Sequence, residues 1–453
     1  MDVAQLLRGC LPAFSTAING YTNSWHHIEW YKLMANESIR RLLLLGPRGH
    51  SKTECVLSYL PWVIGRDVNL RIMLVSNATT QSCNMLRKVS ETIQNNSKFR
   101  VVFPDVIPNL DTWNDSQIIV KRTINHKDPT VGAFGILSEI PSRRADLIVC
   151  DDIIGEDEVC FPSKTDAVRK FFKKTLLPCL TSTGRLIVLG TRWGHNDLYG
   201  ELIEEWEKME SQEYVVKVYK AIQDDGSPLW KEMFPLDVLM NIKSDAEMGS
   251  IHFNTQYMND PLPEGVSPFK REWLENKWSF LPLELTYFIG VDPAISEARD
   301  ADQTAVVTVG VDKNMNMYVV DVVRRKILPP DVIRLIIDKY EQFHPFKIGI
   351  EAIAFQRAIS QALMSMGNFP VVEIKAHEKD KTTRLSSLSP FFENGKLRLG
   401  RNQEELEDEI LRFPRGKHED MVDALEMAVS LVGRGNLIKP WASRVNMFRG
   451  VYG

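Results

Sequence analysis

Apolar residues recur along this chain in short bursts separated by stretches of helical length. The first burst, Leu42-Leu43-Leu44-Leu45, runs straight into a glycine-containing turn. Others follow at Arg71-Ile72-Met73-Leu74-Val75, Leu147-Ile148-Val149-Cys150 and Leu186-Ile187-Val188-Leu189. Continuous apolar runs of this length, spaced by helices, predict buried parallel strands joined by helical crossovers. Ahead of them, residues 1–40 read as a helical lead-in rich in aromatics (Trp25, Trp30, Tyr31). Proline and glycine then gather at Asp260-Pro261-Leu262-Pro263-Glu264-Gly265, a linker signal. A second α/β pattern follows, with strands expected at 287–291, 304–309, 317–323 and 347–350 and a closing helix around Met421 to Leu431. The organisation expected is a first domain over 1–260, a linker over 261–284, a second domain over 285–435 and a tail over 436–453. No internal repeat or low-complexity segment interrupts it.

Composition refines this picture only a little. A chain of 453 residues is long for one core. Its 44% hydrophobic and 25% charged residues are those of a folded soluble protein. The formal net charge of -4 gives no global attraction for nucleic acid, so such binding must rest on local basic patches. All six cysteines (Cys10, Cys55, Cys83, Cys150, Cys160 and Cys179) fall in the first half without a C-x-x-C pair. Free thiols in a reducing compartment are expected. The N-terminal residues lack a basic region followed by a long apolar core and are not expected to act as a signal peptide. No apolar run approaches the roughly 18 residues of a membrane span.

Two sets of residues carry chemistry. In the first, Gly46, Lys52 and Thr53 stand at the G-x-x-x-x-G-K-[ST] spacing of a phosphate loop, with Arg48, Gly49, His50 and Ser51 between them; Ser51 replaces the second glycine. Backbone N–H groups and a helix N-terminus hold phosphates, lysine adds charge and the hydroxyl holds Mg²⁺. Downstream, an apolar strand ends in Asp151-Asp152. Asp151 is placed on Mg²⁺ and Asp152 against the attacking water, with Glu156 as a fallback. Thr191, in Gly190-Thr191-Arg192-Trp193, follows another strand and suits γ-phosphate sensing. Arg143, beside Arg144, is a candidate arginine finger toward a neighbouring subunit.

The second set lies in the last third. Asp292 and Glu351 each close a strand, while Asp420 and Asp423 sit three apart at the start of a helix and share a face. Two metals about 4 Å apart require such converging carboxylates. Asp302 and Glu419 are auxiliary candidates. The basic cluster Lys379, Lys381 and Arg384 lies between Glu351 and the last acids and suits DNA phosphates.

The order and spacing of P-R-G-H-S-K-T at 47–53, L-I-V-C-D-D at 147–152, G-T-R-W at 190–193, G-V-D-P at 290–293 with D-Q-T-A at 302–305, and H-E-D-M-V-D-A-L at 418–425 resemble the large terminase subunit of tailed bacteriophages. The resemblance covers about residues 35 to 432. It implies an α/β protein with an N-terminal RecA-like (ASCE) phosphate-loop ATPase domain on a parallel sheet and a C-terminal RNase H-like nuclease domain on a mixed sheet. It implies ATP and Mg²⁺ as cofactors, with Mg²⁺ or Mn²⁺ at the nuclease. Lys52 and Thr53 then hold phosphate and metal, Asp151 is the second Mg²⁺-side acid, and Asp152 takes a catalytic-carboxylate position where glutamate is common. Thr191 matches the coupling motif. Asp292, Glu351 and Asp420 match the nuclease acids, with Asp423 in the same motif; between the last two, the direct ligand stays open. Tyr21 to His27 is a guess for an adenine-binding element.

The partners implied are double-stranded viral DNA, a small terminase subunit and the portal protein of the procapsid. A homo-oligomeric ring is expected on the portal and a monomer in solution, in the host cytoplasm and not in the mature virion. The competing readings are a helicase-nuclease of DNA repair and a DNA-binding scaffold with degenerate sites.

Overall fold

A computed structural model of the chain describes residues 2–140, 143–245, 248–263, 265–293, 303–351, 354–374, 381–416 and 419–433. The fold divides into two units. One comprises residues 1–243 and 252–264, the other 244–251 and 265–453.

Among the described residues, the first unit is built on an eight-stranded sheet. Its strands are β1 (Arg41–Leu45), β2 (Ile72–Ser76), β3 (Pro108–Trp113), β4 (Gln117–Val120), β5 (Val131–Gly135), β6 (Ala145–Asp151), β7 (Leu180–Gly190) and β8 (Tyr214–Val218). They lie in the order β3-β4-β5-β2-β6-β7-β1-β8. From β5 to β8 every pairing is parallel, while β3 and β4 add an antiparallel edge. The apolar runs explain the sheet. Side chains alternate between faces, so Leu42 and Leu44 join Trp30, Val56 and Leu60 on one side, whereas Leu43 and Leu45 join Ile148, Leu186 and Tyr199 on the other. All four leucines are fully buried, each contributing on the order of 2 kcal/mol of transfer free energy. One lysine or aspartate among them would leave an unpaired charge in the core. Strand β7 separates β1 from β6, and the register pairs Leu45 with Gly190 and Asp151 with Leu189. The C-terminal ends of β1, β7 and β6 therefore lie side by side, at the edge of an open sheet where ligands bind.

The second unit holds a six-stranded mixed sheet among its described residues. It comprises β9 (Thr286–Asp292), β10 (Thr304–Val311), β11 (Met317–Arg325), β12 (Lys347–Glu351), β13 (Val371–Ile374) and β14 (Leu397–Arg398), ordered β13-β12-β9-β10-β11-β14. Strands β9, β10 and β11 form an antiparallel meander, and β12 joins β9 in parallel. Helix Asp420–Gly433 packs across β9, with Ala424, Leu425 and Ala428 fully buried. Phe269 and Leu274 belong to this unit's core.

The α/β fold class, with one parallel-rich and one mixed sheet, agrees with the sequence reading. The described cysteines Cys10, Cys55, Cys83, Cys150 and Cys179 are free thiols. Among the described residues no helix is long and apolar enough to cross a membrane.

Candidate functional sites: a phosphate loop and a carboxylate cluster

The loop after β1 is shaped by two residues in the left-handed region, Gly49 at φ 79° and Ser51 at φ 60°. Ser51 stands where a phosphate loop ordinarily has glycine, and its backbone angle explains that preference. Helix Lys52–Arg66 starts at once, so its N-terminal N–H groups face the loop. The Lys52 ammonium is buried and donates to the carbonyls of Gly46 (3.0 Å) and Pro47 (3.1 Å) and to Thr191 Oγ1 (2.8 Å). Thr191 in turn donates to Gly46 O at 3.0 Å. The lysine thus links the loop to the end of β7, a connection that sequence spacing does not reveal.

Thr53 Oγ1 donates to Asp151 Oδ2 at 2.7 Å. Asp151 is wholly buried; burial first, and the neighbouring Asp152 charge next, push its carboxyl well above the ordinary range. Its Oδ1 atom and that of Asp152 are buried without a hydrogen-bond partner. Two orphaned carboxylate oxygens beside a threonine hydroxyl are costly as they stand and fit a divalent cation. Among candidate residues, these are the ones that would hold it.

His50 is fully buried, its ring stacked on Phe234 at 4.5 Å and 11° with Nδ1 3.0 Å from the Arg48 carbonyl of the loop. With His26, His27, Trp30 and Trp230 it forms an aromatic bed behind the loop. Burial holds the imidazoles of His27 and His50 down at about 4 and about 3, so this bed is uncharged at neutral pH. His26 and His27 of the guessed adenine element lie in this bed. Arg48 bonds through its backbone N–H to Gln256 O at 3.0 Å. Glu156 is exposed. The Arg143 guanidinium lies over the Phe134 ring of β5 at 5.2 Å. Since β5 and β1 are four strand spacings apart, roughly 19 Å at about 4.8 Å each, Arg143 does not serve its own loop.

Two residues missed by the sequence reading anchor the segment after β7. Buried Asp197 pairs with Arg192 (3.2 Å) and accepts from the backbone N–H groups of Trp193 (3.1 Å) and Gly194 (3.2 Å). Asn259 Oδ1 accepts from Arg192 N at 2.9 Å. Only Asp197 carries a local signal, as the N-cap of helix Leu198–Glu207.

In the second unit, Asp292 and Glu351 end the adjacent parallel strands β9 and β12, where Ile350 pairs with Val291. The helix that bears Asp420 and Asp423 reaches them because Gly290 has no side chain: a Cβ there would sit 1.9 Å from Ala424 O. Asp292 is pushed well up by burial, then by the charges of Asp423, Glu351 and Asp420, with Lys381 opposing. The four carboxylates therefore share one field. Glu409, another residue missed from sequence, accepts from the Met421 and Val422 N–H groups at 2.7 and 2.9 Å and sets the start of that helix.

Lys381 and Arg384, expected on DNA, are instead turned onto these acids. Lys381 reaches Asp423 Oδ2 (2.6 Å) and Glu419 Oε2 (2.8 Å); Arg384 pairs with Asp423 Oδ1 and with Glu426 (3.1 Å). Lys379 and Asp302 lie outside the described residues. Among the described residues no three His, Cys, Asp or Glu side chains are drawn close enough to hold an ion as they stand. The donor set nevertheless fits a hard divalent cation, being all carboxylate.

Residues 289–431 match the terminase RNaseH-like domain family. A terminase large subunit from Enterobacteria phage T3 is 28% identical over 190 residues, which take in 39% of this chain and 30% of that protein. The fold is similar to that of the large terminase from a thermophilic bacteriophage, with a TM-score of 0.56 and 11% identity over 91% of this chain and 100% of that one. A structure of that thermophilic phage terminase in complex with ADP gives a TM-score of 0.55 at 11% identity, over 91% of this chain and 99% of that one.

Proposed function

From a chain that carries a terminase RNase H-like domain behind a phosphate-loop unit, we propose a terminase large subunit. In this reading, ATP hydrolysis in the first unit drives double-stranded viral DNA into a procapsid. The second unit cuts concatemeric DNA when packaging starts and ends. The carrying observation is the pair of chemically distinct sites on separate units of one chain. Matches to terminases favour this over a helicase-nuclease of DNA repair.

At the first site the loop N–H groups and Lys52 bind the phosphates. Thr53 and Asp151 would hold the cation, and Asp152 orients and accepts a proton from water. Thr191, bonded to both Lys52 and Gly46, reports the state of the loop along β7. The cation would supply charge neutralisation on the phosphates. At the second site Asp292 and Glu351, with Asp420, Asp423 or both, would hold metal. The chemistry such metal would supply there is activation of water and stabilisation of the leaving oxygen. A small terminase subunit, a portal and a ring of copies in host cytoplasm complete the proposal, with Arg143 reaching a neighbour's nucleotide.

The test is plasmid cleavage with Mg²⁺ or Mn²⁺ by the full chain beside Asp292→Asn. The expected result is cleavage lost and ATP hydrolysis kept. Undiminished cutting by a folded Asp292→Asn chain would refute the nuclease assignment.

A further inference from the structure

The ion pairs around Asp423 bear on how the carboxylate site takes up its metal, an argument that rests on the nuclease reading above. Both oxygens of Asp423 are engaged by cations, one by Lys381 and one by Arg384. Asp423 is also the leading charge felt by Asp292, and Lys381 is the cation that offsets it. A carboxylate held at both oxygens presents its lone pairs to an incoming metal only after giving up a partner. The two partners differ in freedom. Each holds a second acid, Arg384 Glu426 and Lys381 Glu419, but the Arg384 side chain is 12% exposed whereas that of Lys381 is 46% exposed. Lys381 opens helix Lys381–Ser386, and its long flexible stem lets the ammonium swing into water.

We propose that Lys381 is a tethered counter-ion that occupies the carboxylate site in the metal-free chain, that a divalent cation must displace it from Asp423, and that the displaced ammonium then pairs with a phosphate of the DNA. Metal and DNA loading are then linked, each favouring the other. The chain in this state has Asp423, one of the four clustered acids, paired with its own side chains, and the sequence-level expectation of a phosphate contact at Lys381 describes the second position of the same group. Arg384 stays on Asp423 and Glu426 throughout and orients the acid.

The experiment is Mn²⁺ binding followed by electron paramagnetic resonance on the full chain, comparing wild type, Lys381→Met, Lys381→Arg and Asp292→Asn. Sites lost in Asp292→Asn define the second-unit metal. Lys381→Met is expected to bind that Mn²⁺ about tenfold more tightly, the scale of one charge-assisted bond, and Lys381→Arg to stay near wild type. A short duplex with a nuclease-resistant phosphorothioate backbone should tighten Mn²⁺ binding by the wild type and not by Lys381→Met. Unchanged or weaker Mn²⁺ binding by Lys381→Met with a wild-type circular dichroism spectrum overturns the counter-ion role alone. Mn²⁺ binding that is indifferent to Asp292→Asn overturns the metal site itself and the counter-ion with it.

Discussion

Gly290→Ala tests how strand and helix are joined at the carboxylate site. The added Cβ would lie 1.9 Å from Ala424 O and 2.6 Å from Ala428 N, where ordinary contact starts at 3.4 Å. Relief therefore requires β9 and the helix to separate locally by 3.4 minus 1.9, or 1.5 Å. Both obstructing atoms are backbone in the middle of a helix and cannot rotate aside. Overpacking of this kind costs about 3 kcal/mol. The same displacement moves Asp420 and Asp423 away from Asp292, and a misplacement of about 1 Å costs on the order of a hundredfold in rate. Gly310→Ala is the control. Gly310 lies on the neighbouring strand β10, and the three atoms nearest its Cβ would all be side-chain atoms, Leu285 Cδ1 first at 2.9 Å. The assay pairs guanidinium unfolding with metal-dependent cleavage. Because the chain has two units, the transition of the first is identified by its shift with Mg²⁺ and nucleotide. Gly290→Ala should lower the other transition and abolish cleavage, while Gly310→Ala loses less than half as much stability. Equal, small losses in the two variants with normal cleavage would refute the close-approach argument.

Lys52→Ala should abolish ATP hydrolysis and leave metal-dependent cleavage in place, because the two sites belong to different units; loss of both in a folded protein would count against separate sites. Asp151 gives a pH test without metal. Its carboxyl is raised from 3.8 to about 7 in the fold, so between those values the folded chain holds a proton that the unfolded chain has released. Stability contributed by this group is complete below 3.8 and is lost as pH rises toward about 7. Asp151→Asn should flatten that slope in thermal melts, and a slope identical to wild type would remove Asp151 as its source. Arg143→Ala mixed with Lys52→Ala chains should recover part of the ATPase in an assembled ring. No recovery on mixing would exclude an arginine acting across subunits.

What the sequence reveals depends on how local the physics is. The strands before the phosphate loop and Asp151 are legible because both faces are buried, so their apolar runs are continuous. The loop residues 46–53 are legible because their chemistry sits within one turn. Asp292 and Glu351 are readable as strand ends, but their adjacency comes from the parallel pairing of β12 with β9, which no run of residues states. Asn259 and Glu409 act on backbone groups distant in sequence, at Arg192 and at Met421 and Val422, and carry no local mark, whereas Asp197 acts on Trp193 and Gly194 close by and is marked as a helix cap. The basic residues at 381 and 384 expose the deepest limit. Charge alone points them toward phosphate. In the fold their nearest opposite charges are the acids of their own unit. A sequence lists donors and acceptors without saying which pair forms first, and here that order decides whether Lys381 meets DNA before or after the metal.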